Sequence, residues 1–171
     1  EANKEGLDSI ALSAEMTLSH IAGLKYSSGG APLLETAVYG RLPLMVSEYC
    51  PVGSVEGGFS AESQCSRCCK AGTFSLKDRM GVEFPVLCDS LDCRSTILNS
   101  KVLFAPDALI SLRDAGVVIF RLCMLNEEPD EIRELVMLHR DIAAGCGNWM
   151  DTHGKLIENI KSAGFTKGYL K

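Results

Sequence analysis

A helix, a strand and a second helix follow one another in the last third of the chain, and this order restricts the fold more than any other feature. Residues Pro106 to Gly116 begin with Pro, end with Gly and carry two leucines at helical spacing. Val117 to Leu125, "VVIFRLCML", has the apolar content of a buried strand. The next segment, "EEPDEIRELVMLHRDIAAG", carries acids in its first turn. It predicts a helix whose apolar stripe consists of Ile132, Leu135, Val136, His139 and Ile142. A strand between two helices predicts an α/β fold with a parallel sheet.

The first half of the chain and its end show further strand and helix patterns. Asp8 to Glu15 alternates like a short strand, and Thr17 to Leu24 places apolar residues on one helical face. Leu34 to Cys50 is rich in β-branched and aromatic residues but is interrupted by Gly and Pro, which predicts a bent strand pair. Thr73 to Asp89 predicts a β-hairpin, and Lys155 to Ser162 predicts a last short helix.

The composition is that of one ordinary globular domain. Of the 171 residues, 46% are hydrophobic and 23% are charged, so we expect a hydrophobic core and no wholesale disorder. The net charge of −5 gives no electrostatic case for nucleic-acid binding, although it does not exclude an RNA substrate. Local positive charge is limited to a candidate patch of Arg67, Lys70, Lys77 and Arg79.

The ends and the hydropathy of the chain bear on its location. No apolar run reaches eighteen residues, and the first residues lack the pattern of a secretory signal. We therefore expect a cytoplasmic protein with no membrane partner. The chain starts without Met and opens directly into a strand-like pattern, so we also expect it to be a fragment of a longer protein.

A cysteine-rich segment lies in the middle of the chain. Pro51 to Gly72 is rich in Gly, Ser and Cys, which predicts an irregular loop that cannot bury much apolar surface. Cys50, Cys65, Cys69 and Cys93 lie in or beside such loop-like sequence. Four thiolates that converge on one point suit a structural zinc ion or an iron–sulfur cluster. Either group would contribute its binding free energy to the folding of the loop.

The spacing of the cysteines leaves the choice of ligands open. Cys65 and Cys69 form C-x3-C, but Cys65 and Cys68 form C-x2-C, so Cys68 competes with Cys69 for the site. A disulfide framework is less favoured, because the cysteines are clustered in a chain of ordinary composition without a secretory signal. Of the other three cysteines, Cys123 is expected in the core, Cys146 as a bystander, and Cys88 at a strand end with ligation as an alternative.

No motif identifies peptidase chemistry or catalytic residues. The chain lacks G-x-S-x-G, H-E-x-x-H and P-loop motifs, and no Cys and His are spaced like a protease dyad. His20 and His139 lie on helical stripes, so we expect their side chains to be packed or partly exposed. His153 lies in a polar segment, so we expect its side chain to be solvated. Polar residues near predicted strand ends are weaker candidates, since such residues more often form structural ion pairs. They are Glu35, Tyr39, Arg41, Glu48, Asp78, Arg79, Asp89 and Arg94.

Three segments of the chain resemble one known family. They are "AVYGRLPLMVSEYCPVG", "CSRCCK" and "FSLKDRMGVEFPVLCDSLDCRSTILNSKVLF", which match in order and spacing the C-terminal part of the peptidase U32 family, also called collagenase-like proteases. The resemblance implies the C-terminal part of a TIM-like (β/α) barrel with a cysteine-rich loop insertion, whose missing N-terminal half would be its partner. Residues 1–49 would form a βα segment, residues 50–104 a cluster-binding segment with a hairpin, and residues 105–171 an αβα segment of one domain.

The resemblance also implies a site with four cysteines. Family members are described as binding a [4Fe-4S] cluster through four cysteines, which map onto Cys50, Cys65, Cys69 and Cys93 as cofactor-binding and metal-binding residues. Zinc is the alternative. This sequence departs from the commonest signature, in which a second cysteine soon follows the first, because Gly57, Gly58 and Phe59 occupy that region.

The resemblance implies two different kinds of function. The family name implies proteolysis or collagen degradation, whereas better-understood members resemble partners in oxygen-independent hydroxylation. Their implied substrates are a tRNA or rRNA pyrimidine or a quinone precursor, with prephenate as the implied oxygen source. A cluster offers electron transfer, and no nucleophile with a base is apparent for amide hydrolysis, which favours hydroxylation of RNA or of a small aromatic substrate. The alternatives are a collagenase-like or metallo-type peptidase and a zinc-stabilised binding module without enzymatic activity.

Overall fold

The chain forms two compact units. A computed structural model describes residues 6–24 and 32–170, so parts of the predicted segment 1–49 lie outside the described residues. The first unit consists of Glu1–Gly40 together with Lys101–Lys171, and the second consists of Arg41–Ser100. Across the described ranges, no helix combines the length and the apolar character needed to cross a membrane.

Helices and strands are mixed along the chain. In chain order the strands are β1 (Ser9–Ala11), β2 (Leu33–Gly40), β3 (Pro43–Ser47), β4 (Phe74–Lys77), β5 (Glu83–Cys88), β6 (Ser95–Leu98), β7 (Val102–Phe104), β8 (Val117–Cys123) and β9 (Phe165–Thr166). The helices are α1 (Leu18–Ala22), α2 (Pro51–Val55), α3 (Leu109–Asp114), α4 (Pro129–Ala143), α5 (Trp149–Thr152) and α6 (Gly154–Ala163). Short 3-10 turns occupy Cys68–Lys70 and Pro106–Ala108.

The sheet of the first unit is built around β2. Both β1 and β8 run parallel to β2 and pair with the same part of it, at Leu34 and Glu35, so they lie on its two opposite edges. The end of β2 also pairs antiparallel with β7, where Tyr39 lies opposite Phe104, and β9 runs parallel to β7. Parallel pairing of β2 with β8 is the arrangement that the order of helix, strand and helix predicts.

Helix α4 buries one face in the core of the first unit. Asp130 and Glu131 lie in its first turn, where the positive end of the helix dipole favours acidic side chains. The predicted stripe is wrong at one position, because Val136 is exposed and Leu138 is buried instead. Spacings of three and four residues define the buried face, which consists of Leu135, Leu138, His139 and Ile142.

The second unit contains an antiparallel sheet in the order β3-β6-β5-β4. The predicted hairpin over residues 73 to 89 is confirmed as β4 and β5, in which Phe74 lies opposite Val86. A small core of Val52, Val86 and Ile97 supports the sheet. Side chains that are only partly buried pack against this core, and they are Cys50, Cys68, Cys69, Phe74, Phe84 and Cys88. Cysteine thiols therefore supply much of the apolar surface around the core.

The prediction of an irregular loop over Pro51 to Gly72 is wrong in part. Pro51 to Gly72 is not irregular throughout, because α2 occupies Pro51–Val55 and a 3-10 turn occupies Cys68–Lys70. Pro51 is the first helical residue of α2, a position that tolerates Pro because the missing N–H would have no partner there. Farther along the chain, Cys93 to Phe104 contains β6 and β7, which belong to different sheets.

The C-terminal part of a barrel stays a prediction. Three parallel strands occur both in open α/β sheets and in closed barrels. The division into residues 1–49, 50–104 and 105–171 also stays a prediction beside the two compact units.

Candidate functional site

Five cysteines line one cavity of about 290 Å³ in the second unit. They are Cys50, Cys65, Cys68, Cys69 and Cys93. The structure therefore brings together all four cysteines that were candidate ligands, with Cys68 as a fifth. None of these thiols forms a disulfide. The volume is roughly tenfold the ~30 Å³ share of one water molecule in the liquid, so the cavity has room for a group larger than a single ion.

Helix α2 fixes the position of Cys50. Cys50 is the N-cap residue of this helix, and its Sγ accepts a hydrogen bond from the backbone N–H of Gly53 at 3.3 Å. A thiol at a helix N-terminus lies close to backbone N–H groups that have no partner inside the helix. Those donors favour the thiolate form, which is the form that binds metals.

Two glycines allow Cys65 to approach α2. A Cβ on Gly57 would lie 2.6 Å from Cys65 Sγ and 2.8 Å from the backbone oxygen of Gly53, closer than real atoms pack. A Cβ on Gly53 would lie 3.4 Å from the same sulfur. Cys65 Sγ also accepts a hydrogen bond from the backbone N–H of Arg67 at 3.3 Å. The region that replaces the commonest family signature therefore makes room for a cysteine thiol.

The neighbouring Cys68 and Cys69 differ in their contacts. The thiol of Cys68 is directed at the backbone oxygen of Val52, with a donor to acceptor distance of 3.9 Å. No such backbone contact is found for Cys69 within the part of the chain that the structure describes. Both residues belong to the 3-10 turn that follows Arg67, whose backbone is left-handed with φ 57°. Cys93 also has φ 57°, a conformation that is uncommon for residues other than Gly.

The environments of Cys50 and Cys88 shift the pKa values of their thiols in opposite directions. Burial by itself would raise the pKa of the Cys50 thiol, but hydrogen bonds from Gly53, Ser95, Cys88 and Val52 outweigh it and hold the pKa below its usual value. Burial raises the pKa of Cys88 to about 11, against a hydrogen bond from Ser95 that lowers it, and negative charge on Cys50 and Cys69 raises it further. Cys88 therefore keeps its proton beside a more acidic Cys50.

The donor set suits a group held by thiolates. Sulfur ligands select zinc, copper(I) or iron–sulfur clusters. Within residues 6–24 and 32–170, no three His, Cys, Asp or Glu side chains are arranged to hold one metal ion. The five cysteines nevertheless line one cavity. Thiolates are the ligands of iron–sulfur clusters, so the chemistry of the donors fits such a cluster, for which Cys50, Cys65, Cys69 and Cys93 stay the predicted ligands.

Cysteines outside the cavity match the minor roles expected for them only in part. Cys146 is exposed, and Cys88 is partly buried at the end of β5. Cys123 is only partly buried, although a core position was expected. Burial nevertheless raises the pKa of Cys123, so that its thiol keeps its proton. Its backbone packs closely on Gly40, where an added Cβ would lie 2.2 Å from the Cys123 carbonyl oxygen.

The polar residues near strand ends have structural partners. Glu35 pairs with Arg121, Tyr39 donates a hydrogen bond to Glu127 at 3.1 Å, and Glu48 pairs with Arg94 at 3.2 Å. The others bond the backbone: Arg41 donates to Asn99 and Ser100, Asp78 accepts from Met80 and Val82, and Asp89 accepts from Leu91. Arg79 is exposed in the turn between β4 and β5. A structural role accounts for seven of these eight candidates.

The prediction of a solvated His153 is wrong. Its side chain is buried with 3% of its surface exposed, and Nε2 lies 3.0 Å from Asp141 Oδ2. The polar sequence around it did not reveal this partner, which lies on α4. His20 is exposed, whereas His139 is buried, as a packed position on the stripe of α4 implies.

Several residues at the cavity are not recognisable as site residues from the sequence. Tyr49 and Phe59 line it with exposed rings, and Arg67 lines it beside Cys65. From the sequence, Arg67 belongs only to a candidate charge patch. The position of Tyr49 next to Cys50, and of Phe59 just after two glycines, was the available signal.

Comparison with known proteins identifies a family. The family model described as "Peptidase family U32" matches residues 2–171, nearly the whole chain. No curated protein and no solved structure matches the chain.

Proposed function

The chain belongs to peptidase family U32, and from this premise we propose that it binds an iron–sulfur cluster and takes part in an oxygen-independent hydroxylation. The proposed substrate is an RNA pyrimidine or a related small aromatic compound. Cys50, Cys65, Cys69 and Cys93 would hold the cluster. Compared with amide hydrolysis, which the family name suggests, this chemistry is better matched to the side chains of the cavity.

One observation carries the proposal, namely that five cysteine thiols line a single cavity of about 290 Å³. Thiols that solvent can reach are open to oxidation, and ligation would protect them. A group that needs four thiolates and more space than a single ion is a [4Fe-4S] cluster. When bound, such a cluster supplies electron transfer.

The roles of the four proposed ligands follow from their surroundings. Backbone N–H groups already donate to the sulfurs of Cys50 and Cys65, each at 3.3 Å, and such donors stabilise bound thiolates. Cys69 is preferred over Cys68, because the Cys68 thiol is directed at the backbone oxygen of Val52. Cys93 is exposed and lines the cavity.

Peptide hydrolysis has less support from the same cavity. A nucleophilic thiol needs a base that activates it, most often a histidine. None of the three histidines, His20, His139 and His153, is among the residues that line the cavity. The acidic residues at the cavity are engaged, since Glu48 pairs with Arg94 and Asp89 accepts the backbone N–H of Leu91.

Metal analysis of protein purified without oxygen tests the proposal. We expect iron and acid-labile sulfide in equal amounts, with a brown colour. Single changes to Ser at Cys50, Cys65, Cys69 or Cys93 should lower retention of the cluster by at least about tenfold, because loss of even an outer-shell partner costs 10–100-fold in metal affinity. The matched controls are Cys68→Ser, at the same turn, and Cys146→Ser, on the exposed surface, which should keep the wild-type iron content.

The alternatives give different results in the same experiment. Stoichiometric zinc without iron, with stability lost on chelation, would support a zinc-stabilised binding module and contradict the cluster. Gelatin cleavage that persists in Cys50→Ser and Cys93→Ser would support a peptidase. For the reaction, we expect RNA from cells with the wild-type protein to contain a pyrimidine heavier by one oxygen atom, which mass spectrometry should not find with Cys69→Ser.

A further inference from the structure

Cys88 is a thiol that the proposed function leaves unused. It ends β5, is partly buried, and does not belong to the residues that line the cavity. Cys50 and Cys88 nevertheless pack against the same small core, and the Cys88 thiol donates a hydrogen bond to the Cys50 sulfur. A disulfide forms without backbone movement only between cysteines whose side chains already approach each other. The hydrogen-bonded thiols of Cys50 and Cys88 meet this requirement.

Regular elements hold both cysteines in place. Cys88 lies opposite Ser95 in the pairing of β5 with β6, and its Sγ is 3.9 Å from Ser95 Oγ. The side chain of Ser95 is fully buried and also forms a hydrogen bond to the Cys50 sulfur. Cys50 is fixed from its other side by the backbone N–H of Gly53, which donates to its Sγ at 3.3 Å. One buried hydroxyl thus contacts both sulfurs and keeps them together.

Cys50 is the member of the pair that a small oxidant reaches through the cavity. It is partly exposed and lines the cavity of about 290 Å³, whereas Cys88 does not line it. A hydroperoxide converts a thiol to a sulfenic acid, which condenses with a thiol nearby or is oxidised further to an irreversible sulfinic acid. A neighbouring thiol therefore decides whether the oxidation of Cys50 can be reversed.

Cys65 is the competing partner for Cys50. Both sulfurs lie near Gly53, since a Cβ there would be 3.4 Å from Cys65 Sγ and 3.5 Å from Cys50 Sγ. The Cys65 sulfur accepts the backbone N–H of Arg67 at 3.3 Å, whereas the Cys88 thiol donates to Cys50 itself. Cys88 is therefore the thiol better placed to attack an oxidised Cys50.

We propose that Cys50 and Cys88 form a reversible disulfide when a hydroperoxide reaches the protein with no metal group on Cys50. With hydrogen peroxide, the Cys50 sulfur attacks one oxygen, the O–O bond breaks, and a sulfenic acid and one water form. The Cys88 sulfur then attacks the Cys50 sulfur, the S–O bond breaks, and the hydroxyl leaves with the Cys88 proton as a second water. The two thiols lose two electrons, which the peroxide accepts.

This inference does not depend on the proposed function, since it concerns Cys50 before any group is bound. The disulfide withdraws Cys50 from metal binding and at the same time protects it from irreversible oxidation. A thiol reductant reverses it by thiol–disulfide exchange and returns Cys50 to the site.

Mass spectrometry of the intact chain after removal of metal by a chelator and treatment with one equivalent of hydrogen peroxide tests the proposal. Free thiols are blocked with N-ethylmaleimide, and the chain is cleaved without reduction. Cleavage at acidic residues as well as with trypsin separates Cys50 from Cys65 and Cys88 from Cys93. We expect a linked pair of peptides that contain Cys50 and Cys88, and dithiothreitol should remove the link.

Three variants identify the partner of Cys50. Cys88→Ser should lose the link and accumulate sulfinic acid at Cys50, which dithiothreitol does not reverse. Cys65→Ser should keep the link between Cys50 and Cys88. Cys146→Ser is the matched control, because Cys146 is exposed and does not line the cavity, and it should behave like the wild type. A link from Cys50 to Cys65 in the wild type, or equal sulfinic acid in the wild type and Cys88→Ser, would overturn the proposal.

Iron and sulfide measured before the metal is removed separate this proposal from the cluster. Cys88→Ser should hold as much iron as the wild type, and a loss of iron would make Cys88 a ligand and overturn its assignment as the disulfide partner. If the wild type holds a cluster but forms no link after its removal, the disulfide is overturned and the cluster stands. If it holds no cluster but forms the link, the disulfide stands and the proposed redox function falls.

Discussion

Gly57 is the residue at which the smallest change should disturb the site. It is buried, and its backbone oxygen accepts the N–H of Ser66 at 2.9 Å. In Gly57→Ala the new methyl group would lie 2.6 Å from Cys65 Sγ and 2.8 Å from the carbonyl oxygen of Gly53, so backbone atoms must move. We expect a loss of about 1–3 kcal/mol in unfolding free energy, as for other overpacked sites, measured by urea denaturation.

A second glycine of the same segment provides the control for Gly57. In Gly72→Ala the nearest atoms to the new methyl group would be ring carbons of Phe74 at 3.8 Å, which is ordinary contact. This variant should unfold within about 0.5 kcal/mol of the wild type. Equal losses in both variants would show that the closeness of Cys65 to Gly57 is unimportant.

The cysteines show how much of the candidate site can be predicted from the sequence alone. Loop-like sequence selected Cys50, Cys65, Cys69 and Cys93, which the fold does bring to one cavity. Spacing could not separate Cys68 from Cys69, because their difference is a contact with Val52, a residue sixteen positions earlier. Aromatic residues of the cavity were missed for a similar reason, since exposure is a property of the folded chain.

Elements with regular hydrophobic periods were the most predictable part of the fold. The β4–β5 hairpin and helices α4 and α6 follow the predicted patterns closely, since period alone decides which face is buried. Helix α2 was missed because its composition is that of a loop, and only Pro51 at its start indicated a helix. His153 was placed wrongly because its partner, Asp141, lies on another helix.

Helix α4 makes the stability of the first unit depend on pH through His139. Its side chain is 5% exposed, and burial holds its pKa below the usual value although its Nδ1 is bonded to the Leu135 carbonyl oxygen at 2.8 Å. The rings of Tyr39 and Phe104 face it edge-on, and the hydroxyl of Tyr39 is bonded to Glu127. Within the described residues Nε2 has no hydrogen-bond partner, so protonation would place an unpaired charge in the core.

The sign of the pH effect follows from the lowered pKa. Between its folded and unfolded pKa values His139 binds more protons in the unfolded chain, so stability is full above the unfolded pKa of about 6.5 and falls as the pH drops towards the folded pKa. The slope should not exceed about 1.4 kcal/mol per pH unit. Urea denaturation at several pH values should show this slope in the wild type and in His20→Gln, whose imidazole is exposed, but not in His139→Phe. A slope that persists in His139→Phe would assign it to other groups.

At the scale of the whole molecule, the α/β structure and the five cavity cysteines belong to different compact units. Glu1–Gly40 and Lys101–Lys171 form a unit with an extensive aliphatic core, whereas Arg41–Ser100 buries only four hydrophobic side chains, which are Val52, Val86, Ile97 and Leu98. A unit with so little buried apolar surface gains most from a bound group, because binding free energy then adds to folding free energy.

Hydrogen–deuterium exchange with and without the cluster should therefore change unevenly along the chain. Cluster binding at a hundredfold excess over its dissociation constant would add about 2.7 kcal/mol to the stability of the part that holds it, which corresponds to about hundredfold slower exchange by opening of that part. We expect this slowing in peptides of Arg41–Ser100, foremost at Gly53 and Arg67, whose N–H groups donate to cysteine sulfurs. Peptides from α4 and α6, which hold none of the ligands, should exchange at nearly the same rate in both forms. Slowing of equal size in α4 and α6 would mean that the cluster stabilises the chain as a single cooperative body. If exchange in Arg41–Ser100 is not slowed, the cluster does not stabilise the fold of that unit.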